Sequence, residues 1–162
     1  MSVYLFDVDN TLADTSGEIK KRVANFSDSI YPFPLPPDFF ELNPDVFLSA
    51  TAFAGAAEQL HSIVQTGSKI LYVTARAPWF DSLTRHWLRL NGFPEAPVIC
   101  TANKRTIVEQ YRPVYMVDDA PHEIDRVKDL VPCLVPAKPY NEGYMNRFED
   151  WSSFPLLQKA AQ

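Results

Sequence analysis

Val3-Tyr4-Leu5-Phe6-Asp7-Val8-Asp9-Asn10-Thr11-Leu12 begins with four apolar residues and then sets two acids two positions apart. An apolar run this short, closed by a polar turn, predicts a strand buried on both faces. Runs of the same kind recur at Ile70–Val73, Val98–Cys100, Val114–Val117 and Cys133–Val135. Helical patterns lie between them. One covers roughly Ala54 to Gln65, with Ala57, Leu60 and Val64 on one side, and the next covers Pro78 to Leu90, with Phe80, Leu83, Trp87 and Leu90 inward. Shorter patterns span 103–111 and 121–130. Proline suits the first position of the helices at 78 and 121, because the N–H it lacks has no helical partner there. Alternating strands and helices predict an α/β fold built on a parallel sheet with right-handed crossovers.

The stretch from 14 to about 50 does not alternate. Ile19, Val23, Phe26 and Ile30 carry an amphipathic helical stripe over residues 17–30. Tyr31-Pro32-Phe33-Pro34-Leu35-Pro36-Pro37 then excludes both helix and central strand. Inserted after the first strand and its turn, residues 14–50 read as a small helical cap within one domain, 1–162. The composition is that of a chain able to bury a core: 46% of residues are apolar and 22% charged. A formal charge of −5 argues against a surface that grips long polyanions. No apolar run approaches the roughly 18 residues of a membrane span. Asp7 and Asp9 interrupt the N-terminal apolar run, which also lacks the basic start of a signal peptide. Cys100 and Cys133 form neither a ligand cluster nor a disulfide framework, so a cytoplasmic setting is expected.

In an open parallel sheet, ligands bind beyond the carboxyl ends of the strands. The predicted strands deliver there, in chain order, Asp7 and Asp9, then Thr74-Ala75-Arg76, then Thr101 and Lys104, then Asp118-Asp119. Taken singly, each is an ordinary turn or helix cap. Together they form a chemical set. Carboxylates from two strand ends can share one divalent cation, and an oxygen-only donor set suits Mg2+. Lys104 and the Thr74 hydroxyl can neutralise and orient phosphate oxygens. One carboxylate can then attack phosphorus, while a second protonates the leaving oxygen and later deprotonates water.

Phe6-Asp7-Val8-Asp9-Asn10-Thr11-Leu12 resembles the first motif of the haloacid dehalogenase (HAD) superfamily of phosphohydrolases. Thr74, Lys104 and Asp118-Asp119 fall where its second, third and fourth motifs belong. The resemblance implies a Rossmann-like three-layer core, Mg2+ dependence, Asp7 as nucleophile and Asp9 as general acid and base. It also implies a metal held by the Asp7 side chain, the Asp9 backbone carbonyl and one acid of the last pair. Similarity to nucleotidase-like members favours Asp119 as that ligand, with Asp118 as its hydrogen-bonding partner. Cys100-Thr101-Ala102-Asn103-Lys104, and Pro139-Tyr140-Asn141 followed by Arg147 and Trp151, are similar to the 5'(3')-deoxyribonucleotidases. Thr74-x-Arg76 and the Ser82–Leu90 helix are similar to polynucleotide kinase phosphatase domains.

The expected partner is therefore a small phosphorylated molecule, a (deoxy)nucleoside monophosphate by the first likeness. A 3'-phosphatase on nucleic-acid ends and a non-catalytic phosphate-binding module are the alternatives. Phe26, Tyr31, Phe33, Phe39, Phe40 and Phe47 could stack a base or simply join cap to core, and Trp79 is the foremost stacking candidate. Arg76 suits a phosphate or base edge, or an ion pair at the rim of the site. His61, His86 and His122 lack ligand spacing and read as structural, and Cys100 reads as buried and inert.

Overall fold

The computed structural model describes residues 1–155, so the expected domain bound at 162 lies outside the described residues. The strands are β1 (Val3–Phe6), β2 (Lys69–Thr74), β3 (Val98–Cys100), β4 (Tyr115–Val117), β5 (Cys133–Pro136) and β6 (Arg147–Phe148). They form one sheet in the order β3-β2-β1-β4-β5-β6, with every pair parallel. The helices are α1 (Thr15–Arg22), α2 (Phe39–Leu42), α3 (Asp45–Ser49), α4 (Ala56–Gln65), α5 (Asp81–Leu90), α6 (Lys104–Tyr111) and α7 (Pro121–Val127).

Side chains alternate across a strand, so each strand feeds two cores. Tyr4, Phe6, Ile70, Tyr72, Tyr115 and Val117 face one way, where they pack with Leu60 and Ile63 of α4 and Trp87 and Leu88 of α5. Leu5, Leu71, Val73, Met116 and Val135 face the other, against Val108 of α6 and Ile124 and Val127 of α7. This is the expected helix–sheet–helix layering. Residues 14–50 keep a small core of their own, in which Ile19, Phe39 and Val46 are buried and Phe26, Phe33 and Phe40 pack around them. Trp87 ties that segment to α5, its Nε1 donating 2.8 Å to the Ala50 carbonyl.

Several sequence expectations need correction. The helix read over 17–30 runs from Thr15 to Arg22, starting where the Asp14 carboxylate accepts the Gly17 N–H at 3.1 Å. Val23 leaves in extended geometry, and Ile30 is 62% exposed. Val64 and Leu90 face solvent, whereas Ala56 and Ile63 on α4 and Thr84 and Leu88 on α5 are buried. The expected stripes are off by one position on α4 and by one to two on α5. The last helix stops at Val127 rather than at 130. β6, two residues long, carries no periodic signal and went unread.

Register brings the strand ends level. Phe6 pairs with Tyr72 on one side and Val117 on the other, and Thr74 pairs with Cys100. The Asp7 N–H donates to the Val117 carbonyl at 2.9 Å, and the Asp118 N–H to that of Leu134 at 3.2 Å. Each acid therefore begins where its strand's ladder ends.

Candidate active site

Lys104 opens α6, yet its side chain is buried at the sheet edge. Its Nζ donates to Asp7 Oδ1 and to Asp118 Oδ2, both at 2.7 Å. The second Asp118 oxygen accepts the Ala120 N–H at 2.9 Å. Thr11 Oγ1 lies within donating distance of Asp7 Oδ2 at 3.1 Å and Asp119 Oδ1 at 3.2 Å. The Tyr140 hydroxyl donates to Asp119 Oδ2, and Asn141 Nδ2 holds the Asp119 carbonyl at 3.0 Å. Trp151 braces the turn from behind, its Nε1 donating to the Thr11 carbonyl at 3.1 Å.

Asp7, Asp118 and Asp119 bring carboxylate oxygens within 4.8 Å of one another. Burial pushes Asp7 up to about 7, with the neighbouring Asp118 and Asp9 charges adding to it against the pull of Lys104. Burial likewise pushes Asp118 up to about 6 and Asp119 to about 7, the latter aided by Asp7. Burial opposes the Lys104 charge, but Asp118 and Asp7 outweigh it and hold the ammonium. Lys104 thus faces three crowded acids, with the Lys138 charge acting on Asp119 as well. Hard oxygen donors with an excess of negative charge fit a divalent cation, whose charge would relieve that repulsion. Asp118 already has both oxygens engaged by Lys104 and Ala120.

Asp9 stands apart. Arg76 clamps it with Nε on Oδ2 at 2.9 Å and Nη2 on Oδ1 at 2.7 Å, and Thr15 Oγ1 adds a bond to Oδ1 at 2.6 Å. Burial works against ionisation here, but the Arg76 charge and bonds win and lower the Asp9 pKa. The guanidinium is itself fixed, donating to Thr84 Oγ1 at 2.9 Å and lying 3.9 Å over the Phe47 ring. The ion-pair alternative for Arg76 is what the structure contains, with the arginine buried rather than at a rim.

A cavity of about 270 Å³ opens on these groups. Asp7, Asp9, Ala75, Arg76, Lys104, Asp118 and Asp119 reach its wall, together with Tyr31, Phe33, Phe40 and Phe47 of the 14–50 segment. Thr74, expected at the site, is buried and not among the lining residues, its hydroxyl accepting the Arg76 N–H at 3.2 Å. Trp79 is not brought to the wall: it is 68% exposed, and the turn at Pro78–Phe80 sends Phe80 inward instead. His122, read as structural, lines the cavity and stacks on Tyr31 at 5.4 Å, while Tyr31 also stacks on Tyr140 at 5.1 Å. Cys100 is only half-buried, and burial raises its thiol pKa. Thr15 and Tyr140 were missed as contacts of Asp9 and Asp119. The signal for Thr15 was its place one residue after an N-cap, close behind the first motif. Tyr140 offered only a likeness in the tail.

No family model matches the chain. Among curated relatives it is 32% identical over 109 residues to nuclear elongation and deformation protein 1 of Schizosaccharomyces pombe, an alignment covering 62% of this chain and 16% of that protein. It is 28% identical over 116 residues to an Oceanobacillus iheyensis protein with a provisional nucleotidase name, covering 67% of this chain and 62% of that one. The chain therefore spans less than two thirds of either relative. The structure of CbbY from Rhodobacter sphaeroides in complex with phosphate aligns with a TM-score of 0.63 at 13% identity, over 94% of this chain and 95% of that one. A HAD-superfamily hydrolase from Ehrlichia chaffeensis aligns with a TM-score of 0.54 at 12% identity, over 94% of both chains. With its all-parallel sheet and its acids and lysine collected at the strand ends, the chain shares the fold of these solved structures, a HAD-superfamily hydrolase among them.

Proposed function

We propose that this protein is a Mg2+-dependent phosphomonoester hydrolase that works through an aspartyl-phosphate on Asp7, with (deoxy)nucleoside monophosphates as its substrates. The observation that carries the reading is the buried contact of Asp7 with Lys104 at the floor of the cavity, beside the Asp118 and Asp119 carboxylates. When bound, Mg2+ supplies charge neutralisation at the phosphoryl oxygens. Asp7 and Asp119 would hold it through their side chains and Asp9 through its carbonyl, while Asp118 positions Lys104. Lys104 draws negative charge from the phosphoryl group, and Thr74, buried behind the wall, fixes the turn that presents Ala75 and Arg76.

An Asp7 carboxylate oxygen forms a bond to phosphorus as the ester oxygen leaves, and the leaving oxygen takes a proton from Asp9. Water then attacks phosphorus, its proton returns to Asp9, and phosphate departs with Asp7 restored. The first half-reaction thus needs Asp9 protonated, with the proton taken up from solvent as substrate binds, and the second needs it ionised, the form that the Arg76 contact favours.

Residues 14–50 act as a small cap, since Tyr31, Phe33, Phe40 and Phe47 from this segment line the cavity. Aromatic walls suit a nucleobase, and the provisional nucleotidase name of one relative points the same way. Among the described residues no helix is long and apolar enough to cross a membrane.

The test is phosphate release from nucleotides, sugar phosphates and 3'-phosphorylated oligonucleotides by wild type and Asp7→Asn, in EDTA and with Mg2+ or Ca2+ restored. Wild type with Mg2+ should turn over mononucleotides. Asp7→Asn should not, and Ca2+ should restore little, because its looser coordination misplaces the phosphoryl group. Steady turnover by Asp7→Asn would remove the covalent mechanism. A preference for the oligonucleotide of tenfold or more, about 1.4 kcal/mol of transition-state stabilisation, would favour the end-processing alternative.

A further inference from the structure

The cavity wall holds two further acids, Glu41 and Glu123, besides the groups of the phosphoryl site. Glu123 is the more telling. It occupies the third position of α7, from which a glutamate ordinarily reaches back to the N-cap N–H. Here that N–H, on Ala120, is taken by Asp118 Oδ1 at 2.9 Å. Glu123 is therefore free for another task, yet only 2% exposed. Its Oε1 lies 3.0 Å from His122 Nε2 and 3.8 Å from Arg126 Nη1. Its Oε2 is buried and has no hydrogen-bond partner among the described residues. A buried acceptor left unpaired costs free energy that a donor entering the cavity recovers.

The charges around it decide which donor. Asp7, Asp9, Glu41, Asp118, Asp119 and Glu123 line the cavity against Arg76 and Lys104. Both cations are engaged, Arg76 by Asp9 and Lys104 by Asp7 and Asp118. His122 also lines the wall, but it faces Glu123 and stacks on Tyr31. A divalent cation would balance the acids at the floor of the site, and one phosphoryl group would then leave it negative again. A second anionic group would then meet Glu123 and Glu41 with no free lysine or arginine among the lining residues.

We propose that the cavity selects substrates with a single phosphoryl group, whose leaving group carries hydroxyl or amino donors and no second anion. Glu123 is the specificity-determining residue, accepting one of those donors and repelling a second phosphate. This rests on the phosphomonoesterase reading and narrows its substrate class.

Two matched pairs test it: thymidine 5'-monophosphate against thymidine 3',5'-bisphosphate, and ribulose 5-phosphate against ribulose 1,5-bisphosphate. The readouts are kcat/KM for wild type and Glu123→Gln with Mg2+, and calorimetric Kd for the same pairs on Asp7→Asn with Mg2+. Wild type should prefer the monophosphate of each pair about tenfold or more, since like-charge juxtaposition is strongly disfavoured. Glu123→Gln should cut that ratio at least about threefold by admitting the bisphosphates, as the amide keeps the shape and removes the charge. A purely structural role would scale both members of a pair alike. Parity in wild type overturns the proposal whether or not Glu123→Gln folds, as does an unchanged ratio in the folded variant. If no ester is turned over but the Kd preference persists, the phosphatase reading fails and the selection stands. If esters are turned over without preference, the reverse holds. Absence of binding by every probe overturns both.

Discussion

Replacing Lys104 with methionine keeps the buried stem and removes one charge from the centre of the site. The ammonium sits 2.7 Å from Asp7 and 2.7 Å from Asp118. At an effective dielectric of about 20 each contact is an attraction of about 6 kcal/mol, much of it offset by the desolvation of all three groups. Removing one partner of a buried ion pair costs about 3–5 kcal/mol net. For a chain of this size that lowers Tm by about 6–20 °C.

The loss should depend on pH. Asp7 and Asp119 titrate at about 7 and Asp118 at about 6, all above the ordinary 3.8. Between those values the folded chain holds more protons than the unfolded one, so without metal its stability falls as pH rises. Lys104 has a raised pKa, and its own contribution is full below 10.5, so it is constant across this window. Without Lys104 the acids ionise at greater cost. The Lys104→Met deficit should therefore be largest at pH 7.5 and shrink toward pH 5, and Mg2+ should recover part of it. Thermal unfolding by circular dichroism in EDTA, at both pH values and then with Mg2+, measures this. A Tm within about 2 °C of wild type at pH 7.5, or a deficit that grows toward pH 5, would refute the reasoning.

Two further outcomes follow from the geometry. Arg76→Gln removes the charge that favours ionised Asp9, so the acidic limb of the rate of aspartyl-phosphate breakdown, measured in single turnover, should move to higher pH by about one unit; a profile whose limb stays in place would end the role given to this clamp. Phe40, on the cavity wall and stacked on Phe47 at 4.7 Å, should matter to nucleotides, whereas the exposed Trp79 should not. Phe40→Ala should lower kcat/KM for thymidine 5'-monophosphate relative to ribulose 5-phosphate by about 1–3 kcal/mol of stacking, and Trp79→Ala should leave that ratio in place.

The parallel sheet was legible because its strands are short apolar runs with helices between them, and burial on both faces leaves no other reading for Val3–Phe6 or Cys133–Val135. The chemical set was legible for a related reason. Once the strands are drawn, parallel register forces Asp7, Thr74 and Asp118 to one edge, and Lys104 follows from the strand beside them. The sequence by itself therefore determined the layers, the edge and the residues collected there.

Which of those residues touch was decided only in three dimensions. Nothing in the spacing of Asp9 and Arg76, 67 positions apart, says that they clamp each other while Lys104 takes Asp7. That partition depends on side-chain reach and on the desolvation each pair must offset. Nor does periodicity say which aromatic enters the cavity, since one turn of chain at Pro78 exchanges Trp79 for Phe80. Glu123 lay hidden for the same reason: its helix reads as a capped surface element until Asp118 is seen to occupy the cap. Local pattern records which face a residue prefers, whereas partnership is a property of distance, and distance across the sheet edge exists only in the folded chain.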